Sequence, residues 1–175
     1  MIRKLVRTPG IYLIGFMGCG KTTVGRLLAD ELGWGFVDID EDIEKKEKVS
    51  IAEIFDSRGE EVFRALETAA LHSQVHMIQC GRPMVVALGG GAFTREENYG
   101  MVEENGVTLW LDCALETLHA RVADAATRPL ARDPRRFADL YHARRDSYTR
   151  ADFRIDASAG DPAAVLAEIL RLPLF

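Results

Sequence analysis

The sequence has little cysteine and no long apolar run, and both shortages exclude whole classes of protein. Its three cysteines, Cys19, Cys80 and Cys113, are an odd number without a C-x-x-C pair. A disulfide framework or a thiolate zinc site is therefore not expected. No apolar segment approaches the roughly 20 residues that a membrane-spanning helix needs, and the basic start MIRKLVRTPG is too short and broken for a signal peptide. We expect a cytoplasmic protein without membrane contact.

Positive charge is also scarce. The chain has 22 Lys and Arg residues against 27 Asp and Glu residues, a formal net charge of −5. This balance argues against a protein that binds nucleic acid. With 175 residues, 47% of them hydrophobic, the chain is long enough for a single domain, 1–175, with its own core. No exposed apolar stripe stands out, so we expect a monomer.

Short apolar runs alternate with helical patterns along the whole chain, which predicts an α/β fold. The runs VVAL and VTLWL are continuously apolar, as in parallel strands covered on both faces. We predict one three-layer domain with a five-stranded parallel sheet, with strands at 10–15, 35–40, 83–91, 106–113 and 152–156. The predicted helices are 22–33, 41–48, 50–57, 60–79, 94–104, 114–122, 137–149 and 161–171. Segment 123–136, which holds two prolines, is predicted to be a loop.

The stretch GFMGCGKT at 15–22 fits the phosphate-loop pattern G-x-x-x-x-G-K-[ST] between a predicted strand and a predicted helix. Glycines let backbone N–H groups turn inward around phosphate oxygens, and the helix N-terminus adds partial positive charge. In such a loop Lys21 reaches the β- and γ-phosphates of a nucleotide, and the hydroxyl of Thr22 binds Mg²⁺. The alternative is a plain tight strand–helix turn that needs glycine, but the flanking strand and helix favour the phosphate loop.

Two further strand ends are predicted to meet the phosphate loop at the same sheet edge. Asp38 and Asp40 end one strand, and the triplet Gly89, Gly90 and Gly91 ends another. Two aspartates in an extended segment point to the same side, where one could hold Mg²⁺ and the other could orient a hydroxyl nucleophile. The alternative is that they cap the following helix.

Several residues have competing interpretations. Asp112, at the end of VTLWLD, is a possible metal ligand, but a helix cap is favoured. Cys19 is a possible redox switch at a helix N-terminus, but a small side chain at a variable position is favoured. His72 and His76 have zinc-compatible spacing without a third ligand, which favours ordinary surface or core histidines. The chain has no N-K-x-D motif of GTPases.

Beyond the phosphate loop, an ordered set of motifs spans nearly the entire chain. They are DID, FR-x-x-E, GGG, RPL and RR-x-x-Y, within FVDID (36–40), GEEVFRALE (59–67), VALGGGA (86–92), TRPLA (127–131) and ARRDSY (143–148). On these residues the chain resembles the shikimate kinase family. The resemblance implies a P-loop kinase fold with a mobile lid near 123–136. It also implies Mg²⁺- and ATP-dependent phosphorylation of the 3-hydroxyl of shikimate, in aromatic amino acid biosynthesis.

The resemblance assigns roles on the acceptor side. Asp40 contacts the ring hydroxyls and is the candidate base, and the glycine triplet lines the same side. Arg64 and Arg145 bind the substrate carboxylate, a task that suits guanidinium groups. The alternative for Arg64 is a helix-surface ion pair with Glu60 or Glu61. Surface positions are expected for four further arginines, Arg132, Arg135, Arg136 and Arg144.

On the nucleotide side, the resemblance implies that Asp38, with Thr22, helps to hold Mg²⁺. Arg128 lies on the lid over the phosphates, where Lys21 and Arg128 stabilise the charge that develops during transfer. Arg121 stacks on adenine. The chain departs from the family at Ala131 and at 157–162, where we expect mainly backbone contacts to adenine. The full set of predicted ATP ligands is Gly18, Cys19, Gly20, Lys21, Thr22, Thr23, Arg121 and Arg128.

Three other functions remain as alternatives. A kinase for another polyol acid such as gluconate would also need a carboxylate clamp, but not GE-x-x-F-R and GGG together. A nucleoside monophosphate kinase would need a base-reading pocket. A nucleotide-binding module without catalysis is disfavoured because Lys21, Asp40 and Arg128 are all present.

Overall fold

The computed structural model describes residues 10–123 and 134–174. Five parallel strands form one sheet in the order β2-β3-β1-β4-β5. The strands are β1 (Gly10–Ile14), β2 (Gly35–Asp38), β3 (Met84–Ala87), β4 (Val107–Asp112) and β5 (Phe153–Asp156). The α/β class and the five-stranded parallel sheet predicted from the sequence are confirmed.

Eight α-helices within the described residues flank this sheet. They are α1 (Lys21–Leu32), α2 (Ile39–Glu47), α3 (Ile51–Arg58), α4 (Glu60–Gln79), α5 (Glu96–Asn105), α6 (Leu115–Ala123), α7 (Pro134–Tyr148) and α8 (Pro162–Leu170). A 3₁₀ turn, Ala92–Thr94, precedes α5. None of the helices that the structure describes is both long and apolar enough to cross a membrane.

The core is centred on the two strands that are buried along their whole length, β1 and β4. They pair in register from Ile11 opposite Val107 to Ile14 opposite Trp110. Burying one such aliphatic side chain stabilises the fold by roughly 1.5–3 kcal/mol. The complete burial of β1 and β4 shows that helices cover both faces of the sheet here, as the continuously apolar strand sequences predicted.

The observed elements differ from the predicted ones mainly at their ends. Strand β3 stops at Ala87, so the glycine triplet forms a turn and not a strand end. The predicted loop 123–136 is wrong at both ends, since Ala123 is still helical and α7 begins at Pro134. Proline suits a first helical position because its missing N–H has no partner there in any helix. Residues 124–133, with Arg128, Ala131 and Arg132, lie outside the described residues.

Candidate active site

The phosphate loop joins β1 to α1 and depends on glycine. Gly15, Gly18 and Gly20 have φ angles of 141°, 81° and 97°, which side chains disfavour. Gly20 is the N-cap of α1, and its carbonyl accepts the first helical hydrogen bond, from Val24 N at 2.9 Å. The loop therefore presents its backbone at a helix N-terminus, the arrangement that binds phosphate groups.

Lys21 is held across this loop. Its Nζ donates to the carbonyl oxygens of Gly15 at 2.9 Å and Phe16 at 3.0 Å. Cys19 lies beneath it, 2% exposed, with its Sγ 3.7 Å from Nζ. The ammonium charge is thus fixed at the mouth of the loop, while the thiol is part of the core.

Thr22 and Asp38 form a hydroxyl–carboxylate pair next to the lysine. Thr22 Oγ1 donates to Asp38 Oδ2 at 2.6 Å, and Asp38 Oδ1 accepts from the N–H groups of Asp40 and Glu41. Hard oxygen donors of this kind fit Mg²⁺, which keeps most of its water ligands and needs few protein groups. The described residues contain no cluster of three or more His, Cys, Asp or Glu side chains arranged for a metal ion.

The expectation that Asp38 and Asp40 share an extended segment is wrong. Strand β2 ends at Asp38, which is the N-cap of α2, and Asp40 lies in the first turn of that helix. Acidic residues in a first helical turn are stabilised by the helix dipole, and this favours an early helix start. Asp40 nevertheless reaches the glycine triplet, since its Oδ1 lies 2.7 Å from the position that a Cβ on Gly89 would occupy.

Arg64, on α4, lies at the acceptor side of the triplet. Its Nη1 donates to Glu67 Oε2 at 2.9 Å, and its Nη2 and Nε donate to Glu60 Oε1. The guanidinium also lies 2.7–2.9 Å from where a Cβ on Gly91 would stand. The ion pair with Glu60, raised as an alternative, is therefore present together with a second pair inside the site.

Glu67 also lies in this site, although the sequence indicated no role for it beyond its place in the motif FR-x-x-E. Its side chain is 1% exposed and pairs with Arg64, and its Oε1 lies against Gly89. Burial raises the pKa of Glu67, while the neighbouring charge of Arg64 opposes that shift. Since Arg64 is bound at both ends, its orientation is set before any ligand arrives.

Arg144 is the second arginine of this site, although we expected it on the surface. Its Nη1 lies 3.1 Å from the Cβ position of Gly90, and its guanidinium lies 5.8 Å from the ring centre of Phe16. Burial lowers the pKa of Arg144. Arg64 and Arg144 therefore flank the glycine triplet from two helices.

The structure corrects the assignment of Arg145 to the carboxylate site. The Arg145 guanidinium donates to both oxygens of Asp112, at 2.6 and 2.8 Å, and to Tyr141 Oη at 2.6 Å. It also stacks over Trp110, 4.9 Å from the ring centre. Neighbouring helix residues point about 100° apart, so only one of the two adjacent arginines can face the triplet. The sequence did contain a signal for this choice: Arg144 lies four residues before Tyr148, so the two side chains lie on the same face of α7.

Asp112 is not a helix cap. Helix α6 begins at Leu115, so its N-cap position lies two residues after Asp112. The Asp112 carboxylate instead accepts hydrogen bonds from Arg145 and Arg154. The favoured interpretation is therefore wrong. These ion pairs also occupy the oxygens that the alternative, a metal ligand, would have used.

On the nucleotide side of the site, Arg121 of α6 forms hydrogen bonds to two separate loops. Its Nη1 donates to Gly18 O at 3.2 Å and contacts Cys113 Sγ at 3.6 Å, and its Nη2 donates to Ala157 O at 3.2 Å. Burial raises the pKa of Cys113. Arg121 thus joins the phosphate loop to the 157–162 loop. Thr23 is exposed on α1, and His72 and His76 are exposed on α4.

The phosphate loop, Arg64 and Arg144 lie at one edge of a parallel sheet, where α/β proteins bind their ligands. The fold and site are those of a P-loop kinase that acts on a small molecule. A model of the shikimate kinase family matches residues 17–172. The chain belongs to the shikimate kinase family, which confirms the resemblance found in its motifs.

Individual relatives agree with the family match. The chain is 42% identical over 161 residues to the shikimate kinase of Persephonella marina, covering 91% of this chain and 96% of that protein. It is 43% identical over 171 residues to the shikimate kinase of Gloeobacter violaceus, covering 95% and 93%. The structure of shikimate kinase from Acinetobacter baumannii in complex with shikimate is similar, with a TM-score of 0.89 and 34% identity, covering 99% and 97%.

Proposed function

We propose that this protein transfers the γ-phosphoryl group of ATP to the 3-hydroxyl of shikimate, in the pathway that leads to aromatic amino acids. The observation that carries the proposal is the position of Arg64 and Arg144 on either side of the glycine triplet. A small acid held there by two guanidinium groups has its hydroxyls near Asp40 and the phosphate loop. The relative from Acinetobacter baumannii binds shikimate itself.

The nucleotide is held by the phosphate loop, whose predicted ligands are Gly18 to Thr23. Lys21 Nζ already lies over the loop carbonyls and neutralises charge on the phosphates. Arg121 lies between this loop and 157–162, in reach of the adenine end. Arg128 remains a prediction from the resemblance.

Thr22 and Asp38 are the residues that would hold Mg²⁺, since their oxygens are 2.6 Å apart beside the lysine. When bound, the ion neutralises phosphate charge and orients the phosphoryl group for in-line transfer. Asp38 keeps its position without the ion, because it is bound to two N–H groups of α2.

The acceptor hydroxyl is oriented by Asp40, which accepts its proton as the phosphoryl group is transferred. Asp40 lies at Gly89 next to buried Glu67. Two carboxylates on one side of the triplet, with two arginines on the other sides, give the pocket a polarity that matches a molecule with hydroxyls at one end and a carboxylate at the other.

We further propose that the protein works as a cytoplasmic monomer. Its three cysteines are free thiols, of which Cys19 and Cys113 are buried. Free thiols are typical of a reducing compartment. A single set of site residues from one chain forms both the nucleotide and the acid side, so catalysis needs no second copy.

The test is ADP release from ATP and Mg²⁺ with and without shikimate, alongside gluconate and a nucleoside monophosphate. We expect ADP release that depends on shikimate, with little background from water as acceptor. Release that depended on gluconate or on the monophosphate instead would contradict the proposed substrate but not the kinase class. Equal release in all mixtures would indicate an ATPase.

A further inference from the structure

We propose that the hydroxyl of Tyr148 is a positioning group for shikimate binding, because it joins Arg144 to the glycine turn in the arrangement that the substrate carboxylate needs. This inference rests on the function proposed above. Tyr148 does not touch the reacting atoms. It acts through the arginine and through the backbone of Gly90.

The hydroxyl of Tyr148 lies between two elements that build the acid site. Tyr148 Oη donates to the carbonyl oxygen of Gly90 at 2.5 Å. The Arg144 guanidinium lies beside the same hydroxyl and interacts with it electrostatically. Both Tyr148 Oη and Arg144 Nη1 lie within 4 Å of the Cβ position of Gly90, at 3.7 and 3.1 Å. The hydroxyl therefore contacts the turn on the side where the guanidinium lies.

The phenol ring is itself held rigidly, so the hydroxyl is a fixed reference point. Tyr148 is 2% exposed and its ring packs against Trp110, with centroids 6.0 Å apart. Burial raises the pKa of Tyr148, which keeps it a neutral hydroxyl that can donate to Gly90.

Arg144 needs such a support because its guanidinium has little else to orient it. Arg64 is held by ion pairs to two glutamates. Among the described residues no carboxylate forms an ion pair with Arg144, and the charges of Glu67 and Glu60 act on it only from a longer distance. The groups beside its guanidinium are the ring of Phe16 and the hydroxyl of Tyr148. A guanidinium free to rotate would lose the fixed geometry that makes a two-point contact with a carboxylate strong.

The experiment compares Tyr148→Phe with Tyr12→Phe. Both changes remove a buried tyrosine hydroxyl that donates to one backbone carbonyl, in the second case that of Asn105, the last residue of α5, a helix that carries no site residue. For Tyr148→Phe we expect the KM for shikimate to rise about tenfold, the size of effect expected when one polar contact with a charged group is lost. The KM for ATP and kcat should stay within about twofold. Tyr12→Phe should leave all three constants unchanged.

A second comparison tests whether the effect passes through the arginine. In an Arg144→Ala background, adding Tyr148→Phe should raise the KM for shikimate less than twofold, because residues that act as a unit are not additive. Thermal unfolding of each variant reports whether it is folded. An unchanged KM in Tyr148→Phe, an equal rise in Tyr12→Phe, or full additivity with Arg144→Ala would each overturn the inference. Wild-type protein without shikimate-dependent activity would instead overturn the proposed function, and this inference with it.

Discussion

At the scale of single residues, the site is organised by charges whose partners are already in place. Glu67 and Glu60 hold Arg64, and two loop carbonyls hold Lys21. Such preorganisation matters in phosphoryl transfer, because the protein's contribution is mainly position and electrostatic stabilisation. Removing the charge of Lys21, which has no buried carboxylate partner in the described residues, should therefore change kinetics far more than folding.

For Lys21→Met we expect kcat to fall at least about 100-fold, in the range seen when one transition-state donor is removed. The aliphatic stem remains, so the melting temperature should change little. Lys46→Met is the matched control, since Lys46 forms an exposed i, i+4 pair with Asp42. Steady-state ADP release measures both. Turnover close to wild type in Lys21→Met would remove this lysine from the mechanism.

For Arg64→Ala we expect the KM for shikimate to rise roughly 10- to 100-fold, corresponding to lost hydrogen bonds between charged groups. Binding of ATP should be nearly unchanged. Arg58→Ala is the control, because Arg58 pairs only with Glu47 at the surface in the described part of the chain. Calorimetric titration with shikimate provides the check, and equal affinity in Arg64→Ala and wild type would contradict the clamp.

At the scale of helices and strands, the sequence predicted which elements exist and less well which way their residues face. The full span of α4 was predicted correctly, because it depends on local signals. The prediction of which face of α7 points into the site was wrong, because Arg144 and Arg145 are chemically identical neighbours. Only packing against Trp110 and Asp112 decides which one faces the site.

This difference in phase predicts opposite phenotypes for adjacent substitutions. Arg144→Ala should raise the KM for shikimate at least tenfold and leave stability nearly unchanged. Arg145→Ala should leave that KM within about threefold but cost about 1–3 kcal/mol of unfolding free energy, because it removes a partner from Asp112, whose side chain is 8% exposed.

Urea unfolding and steady-state kinetics on the two proteins measure both effects. If Arg145→Ala raised the KM and Arg144→Ala did not, the placement of α7 would be wrong.

At the scale of the whole molecule, the parallel sheet and the ligand edge followed from strand–helix alternation. The strand order did not, because the apolar runs are too alike to specify neighbours. The order places β1 between β3 and β4, so the phosphate loop lies directly beside the glycine turn that follows β3. In the proposed function, nucleotide and acid would therefore bind side by side on one sheet.

Ligand binding should accordingly stabilise the molecule as a unit. Mg²⁺ and ADP at 100 times the dissociation constant should add about 2.7 kcal/mol. In a domain of this size that raises the melting temperature by roughly 5–11 °C. Thermal unfolding with and without the nucleotide measures the shift, and ADP with EDTA is the control for the ion. No shift with Mg²⁺ and ADP would contradict the nucleotide site.

The glycine turn also limits how this enzyme can evolve. Added methyl groups would meet Asp40 and Glu67 at Gly89, Arg144 at Gly90, and Arg64 at Gly91. Each of the three positions faces a different charged group, so no single compensating substitution could relieve all of them. Selection for a different acid would have to begin with the arginines and carboxylates, because any side chain added to the triplet must first displace one of them.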